Sequence, residues 1–437
     1  MSHPGPLPVP PRRRRVGLAA LMLLLATAAC TDSGEDKATY EVKSYDKNVT
    51  GVVAAANAFL ATLDDTEKAK AQLELTTENA TAWSNLPCGS TCRPGIKFGD
   101  LDAEELAAAK SVLNTALGTG EGTGYQRVEE IMLADEYLNG IQASGNGGGP
   151  GGGGTQPSGA PGGGFPGGAL PSGGPDGGFP GGGFPGGADA SGGPGGGFPG
   201  GTDASGAPGG GQGGPGGADS GYSEGTYFLA FLGAPSADGT WQLHFGGHHL
   251  AVNLTYKSGQ VAGASPFFIG VEPTSWTEGS TTYAPMDDML QALLAMTGSL
   301  SESQLAKAKL AQTYSDVLVG PGEDGKFPAT KEGLAVKDLT ADQKKLVLAA
   351  VKPWVAGADD ATAEALMKTY ESEIDETYIA WSGTTGLTNH ADYVRIDGPS
   401  VWVEFVCQNG IVIQDQIHYH TVYRDHTRDY GGEFSFS

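Results

Sequence analysis

Apolar positions in the first half of the folded chain recur at helical spacing. Between Val49 and Leu63, residues Val52, Val53, Ala56, Phe59, Leu60 and Leu63 stand three and four apart, which predicts a helix with one apolar face. Glu67 to Leu75 continues that pattern. Asp102 followed by Glu105 has capping-box spacing and predicts a helix running to Leu117. Tyr125 to Leu138 predicts another, with Val128, Ile131, Met132 and Leu138 inward. These stripes read as core faces, not as ligand sites.

Beyond residue 223 the period shortens to two. Tyr227–Leu232, Trp241–Phe245, His248–Tyr256 and Gly259–Gly263 read as successive antiparallel strands joined by glycine-containing turns. In the third, His248, Leu250, Val252, Leu254 and Tyr256 share an apolar face, and His249, Ala251, Asn253 and Thr255 share a polar one. One of the adjacent histidines is therefore expected in the core and the other on the polar face. Helices are expected over Met286–Met296 and Asp359–Glu373, and Ser301/Gln304 and Thr340/Gln343 have capping-box spacing. Thr377–Gly383, Asp392–Ile396, Val401–Val406 and the strand of His418 close the chain. The fold class expected is α+β, an antiparallel sheet packed with amphipathic helices.

Composition divides the chain. Arg12–Arg15, an apolar run from Val16 to about Ala29, and Ala28-Ala29-Cys30 have the form of a bacterial lipoprotein signal. Residues 1–29 are read as the signal peptide, Cys30 as the lipidated residue, and 30–44 as a polar tether. The chain is thus expected to be exported and held by its N-terminal lipid on the extracytoplasmic face of the membrane. The helical part covers 45–143 and the mixed part 223–432. Between them, 144–222 repeats Gly-Gly-Gly-Phe-Pro-Gly-Gly and is expected to be disordered, because ordering glycine costs entropy and little apolar surface would be buried. Roughly 300 residues remain to fold, enough for one large domain or two small ones. The formal net charge of −24 argues against a nucleic-acid partner, which needs a positive face. Neither a small-molecule nor a protein ligand is identified by these features.

Cys88 and Cys92 could be a disulfide, a metal pair or two thiols. Export favours the disulfide, and no further Cys or His is close enough in sequence to complete a zinc site. Cys407, at the end of an apolar strand, reads as a buried thiol.

The candidate chemistry lies in the last strand. Alternation places His418, His420 and Arg424 on one face with Val422, and Tyr419, Thr421, Tyr423 and Asp425 on the other. His418 and His420 form a pair of potential metal ligands, with His249 as a third and Glu404 as a fourth. Glu404 is flanked by apolar residues, so its carboxylate needs a partner. Imidazole suits zinc, copper or iron. Arg424 and Asp425 are the candidate catalytic residues, Arg424 because its planar fork matches an anionic group. The loop Gly320–Gly325 lacks the Lys-Ser/Thr of a phosphate loop and reads as a turn. Two functions follow: a metal-dependent enzyme, redox or hydrolytic, or a non-catalytic surface lipoprotein that binds a ligand or a protein partner and whose histidines form a buried polar network.

Gly-His248-His249-Leu-x-x-Asn253, Trp381-Ser-Gly383, Tyr393-Val-Arg395-Ile-Asp-Gly398-Pro399, Glu404-Phe405 and His418-Tyr-His420-Thr-Val-Tyr-Arg424-Asp425 together resemble the bacterial family catalogued as domain of unknown function 3500. The resemblance covers about 45–142 and 223–432. It implies that the glycine tract is an expanded loop within one domain, and it implies no established reaction or cofactor.

Overall fold

The structure, a computed structural model, describes residues 46–144 and 221–436. The residues read as a signal peptide, Cys30 and nearly all of the glycine-rich tract lie outside the described residues.

In the first segment the elements are α1 (Asp46–Thr62), α2 (Asp65–Ala71), β1 (Gln72–Leu73), α3 (Thr77–Thr81), β2 (Ile96–Lys97), α4 (Ala103–Ala116) and α5 (Gly124–Ala143). The capping box of Asp102 and Glu105 forms as the spacing predicts, and Asp64 with Glu67 makes a second one at α2. The helix expected through Leu75 stops at Ala71. Gln72 and Leu73 instead pair in parallel with Phe231 and Leu232, so a sheet edge captures that backbone.

In the second segment, β3 (Phe228–Leu232), β4 (Thr240–Gly247), β5 (Leu250–Lys257), β6 (Gln260–Gly263) and β7 (Phe267–Val271) precede a separate hairpin of β8 (Trp276–Glu278) and β9 (Thr281–Tyr283). Helices α6 (Asp287–Gly298) and α7 (Glu302–Ala308), strand β10 (Leu334–Ala335), and helices α8 (Ala341–Val355) and α9 (Asp360–Ser372) follow. The chain then enters β11 (Tyr378–Ser382), β12 (Tyr393–Asp397), β13 (Val401–Asn409) and β14 (Ile417–Asp425).

Twelve strands make one mixed, mostly antiparallel sheet in the order β1-β3-β4-β5-β7-β14-β13-β12-β11-β10, with β2 also on β3 and β6 also on β5. The fold is α+β, as the periodicity predicts. Strand β7 was not expected, because Pro266 and Pro273 bracket a short apolar run. It is central, lying between β5 and β14.

The two sheet faces are covered differently. Leu250, Val252, Ile269, Val403, Phe405, Tyr419 and Tyr423 face a core shared with helical residues from both segments, including Val52, Phe59, Leu113, Ile131, Leu293 and Trp354. Ala251, Phe268, Tyr393, Val406 and Val422 face the other way, against Trp83, Leu310 and Val317. An irregular stretch, residues 310–333, therefore crosses the second face.

The third strand begins at Leu250, not His248. His248 and His249 form the tight turn between β4 and β5. Gly246 and Gly247 precede it; a Cβ on Gly246 would lie 2.5 Å from the Leu250 carbonyl oxygen. The two histidines do not divide between core and polar face. Their rings stack at 4.3 Å with 13° between planes.

Candidate metal centre

Strand β14 carries His418 and His420 on the second face, as alternation requires. Its register sets His420 opposite Gly270 of β7. On the other side of β7, the Gly270 N–H donates to the His249 carbonyl oxygen at 2.7 Å. Gly270 thus separates two imidazoles and leaves the space they occupy. A Cβ there would stand 2.7 Å from His249 Cδ2 and 2.8 Å from His420 Cδ2.

His249, His418 and His420 each turn a ring nitrogen to one point, and the ligand atoms all lie within 4.8 Å of one another. All three residues are buried, at 1%, 1% and 4% exposure. The Nε2 atoms of His418 and His420 are 3.3 Å apart. Two nitrogens at ~2.05 Å from one zinc ion, at the tetrahedral angle, would be separated by about 3.3 Å.

Carboxylates hold the outer nitrogens of two rings. His249 Nδ1 is 2.7 Å from Asp135 Oδ1, and the other Asp135 oxygen accepts from Tyr227 Oη at 2.7 Å. His420 Nδ1 is 3.1 Å from Asp316 Oδ1. Asp316 is partly exposed; its partial desolvation would raise the carboxyl, but the hydrogen bond to His420 and the Val317 N–H outweigh it and hold its pKa below the usual value. A carboxylate at Nδ1 fixes the proton there and leaves the lone pair on Nε2 facing inward.

This tautomer leaves His418 without a satisfactory state of its own. Its Nδ1 makes no hydrogen bond of normal geometry, although the nearby Asn409 backbone favours a proton on this ring. If the proton sits on Nδ1, the Nε2 lone pair meets the lone pair of His420. If it sits on Nε2, the bond to His420 forms and a buried lone pair is orphaned at Nδ1. A cation among the three nitrogens removes the lone-pair clash. Burial, followed by the neighbouring His420 and His249, pushes the His418 pKa down to about 2, so the ring is a neutral ligand at neutral pH. His248, also neutral through burial, stacks beside His249 and under Tyr222, with 4.7 Å between the His248 and Tyr222 centroids.

The other candidates lie elsewhere. Glu404 is fully buried and shares the histidine face, but all its acceptor capacity is directed to the protein. It accepts from the Leu318 and Val319 N–H groups at 2.5 and 2.9 Å, Tyr393 Oη at 2.8 Å and Trp402 Nε1 at 2.8 Å. Burial raises its pKa, and these four donors act against that. Arg424 is also fully buried. It pairs with Asp324 at 2.8 Å and Asp429 at 3.0 Å, and donates to the Val319 and Gly320 carbonyls. Together Glu404 and Arg424 pin the stretch that presents Asp316. The Gly320–Gly325 loop is a turn, with Asp324 as its anchor. Asp425 lies on the opposite face, bonded to Tyr370 Oη, Thr427 and Arg428. Neither Arg424 nor Asp425 joins the three histidines.

Asp135, Asp316 and Gly270 were not anticipated. Asp135 had a signal: it falls on the buried stripe of α5 between Ile131 and Leu138, where an unpaired carboxylate is costly. Helix α5 is thus more than a core stripe. Cys88 and Cys92 are joined, with 5.9 Å between their Cα atoms, and Cys407 is a buried thiol whose pKa burial raises to about 12. No helix among the described residues is long and apolar enough to cross a membrane.

No curated protein and no solved structure matches the chain. The family profile described as "Protein of unknown function (DUF3500)" matches residues 45–432, which include every residue of the histidine cluster and both carboxylates behind it. The chain therefore belongs to the DUF3500 family.

Proposed function

We propose that this protein is a metal-dependent enzyme, with His249, His418 and His420 holding one zinc-type ion in a site that keeps a fourth position for water or substrate. The observation that carries the reading is the convergence of three imidazole nitrogens, two of them backed by Asp135 and Asp316. The 3.3 Å separation of the His418 and His420 nitrogens is that of two ligands on one tetrahedral zinc ion. Three neutral ligands leave the ion its full charge, and as a Lewis acid it would polarise a substrate oxygen or acidify water. The reaction class this favours is hydrolysis. The residues' own part is to exclude solvent, orient the rings and keep their protons on the outer nitrogens.

Cobalt(II) substitution tests the open position. Intense visible bands that shift on adding azide would support an accessible four- or five-coordinate site. The 1–4% exposure of the ligands favours a second reading, a closed non-catalytic site within a surface lipoprotein. Bands indifferent to azide would select it.

We further propose that the mature protein is exported, lipidated at Cys30 and anchored on the extracytoplasmic face, and that residues 145–220 are an insertion within one domain. The leader's sequence supports the first part. The single core built from both flanking segments supports the second. Mass spectrometry of the mature N-terminus should find a diacylated cysteine; an unmodified start downstream of Cys30 would refute the anchor.

A further inference from the structure

The disulfide loop carries a feature that a structural crosslink does not need. Cys88 and Cys92 are four residues apart, so their bond closes a very short loop and restrains the unfolded chain little. Both are half-buried, with Pro87, Ser90 and Thr91 exposed around them. Arg93 follows directly and is only 5% exposed. Its Nη2 donates to the Ser84 and Leu86 carbonyl oxygens at 2.7 and 2.6 Å, which fixes the guanidinium against the loop's own backbone. Its Nη1 then lies 3.7 Å from both sulfurs. Beside the loop is a surface cavity of about 470 Å³, lined by Ser90, Arg93, Pro94, Lys70, Leu73 and Phe228.

A fixed cation next to a sulfur stabilises its thiolate. A sulfur with a lower thiol pKa is also the better leaving group in disulfide exchange. We propose that Cys88–Cys92 is an exchange-competent redox couple that oxidises a dithiol partner, with Arg93 stabilising the departing sulfur. A partner thiolate attacks Cys88 Sγ, forming a mixed disulfide. The Cys88–Cys92 bond breaks and its electron pair leaves on Cys92 Sγ beside Arg93. The partner's second thiolate then attacks its own sulfur in the mixed disulfide and releases Cys88. The partner ends as a disulfide, and its two electrons and two protons end on the two cysteines. The half-buried position of the two sulfurs, with exposed Pro87, Ser90 and Thr91 around them, leaves the pair open to attack. This inference is independent of the metal reading.

The test equilibrates the folded full-length protein with dithiothreitol at set ratios of reduced to oxidised reagent. Alkylation then quenches the mixture, and the peptide spanning residues 83–95 is weighed. Cys88 and Cys92 should become reduced together while circular dichroism is unchanged. The rate of alkylation against pH should give a thiol midpoint below the ~8.5 of free cysteine. Arg93→Met should raise that midpoint by about one unit, a tenfold change in proton affinity, and Arg93→Lys should restore most of it. A pair that resists reduction until the chain unfolds would overturn the proposal. So would a wild-type midpoint at or above that of free cysteine, which decides the matter even if Arg93→Met does not fold.

Discussion

His249 Nδ1 and Asp135 Oδ1 meet at 2.7 Å, and both side chains are 1% exposed. One comes from the β4–β5 turn and the other from α5, on opposite sides of residues 145–220 in sequence. The contact ties the helical segment to the sheet at the candidate site. It also decides which nitrogen of His249 faces inward. Asp135→Asn removes the charge and the fixed tautomer with little change in volume. Metal affinity should fall 10–100-fold, read by competition with a chromophoric chelator. Unchanged affinity in a folded variant would mean that the carboxylate does not set the ring.

Gly270→Ala tests the packing of the rings. The added methyl would approach both His249 and His420 inside contact distance, and neighbouring strands leave the backbone no room to retreat. The variant should lose metal affinity and about 1–3 kcal/mol of stability, measured by urea unfolding. Wild-type affinity would show that the rings tolerate displacement.

Glu404→Gln separates anchor from ligand. The amide cannot accept from four donors, so about 1–3 kcal/mol of stability should be lost. Bound metal should remain at one ion per chain in the folded variant. Loss of the ion with the 310–333 stretch still in place would return Glu404 to the ligand set.

The pH dependence of stability should carry the mark of His244. Burial lowers its pKa from 6.5 to about 4 in the folded state. The unfolded chain therefore takes up a proton first as pH falls. His244 contributes stability above pH 6.5, and this is lost progressively towards pH 4, by roughly 3 kcal/mol at most. His244→Gln should have a shallower loss of unfolding free energy across that window than wild type. Parallel slopes would contradict the assignment.

The pairing of His418 with His420 was legible because strand alternation has a period of two and needs no tertiary information. The capping boxes at Asp102, Ser301 and Thr340 were legible because each is a local exchange of hydrogen bonds. Glu404 was half legible. Its apolar flanks required partners, but two of its donors are the Leu318 and Val319 N–H groups, and backbone in an irregular stretch has no sequence pattern. The partners of Arg424 were hidden for the same reason, since the Val319 and Gly320 carbonyls and Asp324 come from that stretch. Asp135 and His249 are 114 residues apart, and only the packing of α5 against the sheet brings them together. Gly270 was invisible because its role is the side chain it lacks.

The central claim is that the three histidines hold a metal ion, and elemental analysis tests it most directly. Wild-type protein, stripped with chelator, reconstituted separately with zinc and copper and desalted, should retain one ion per chain. The variant carrying both His418→Ala and His420→Ala should retain none while keeping its circular dichroism spectrum. Folded wild-type protein that retains neither ion, or a double variant that retains one ion per chain, would contradict the account.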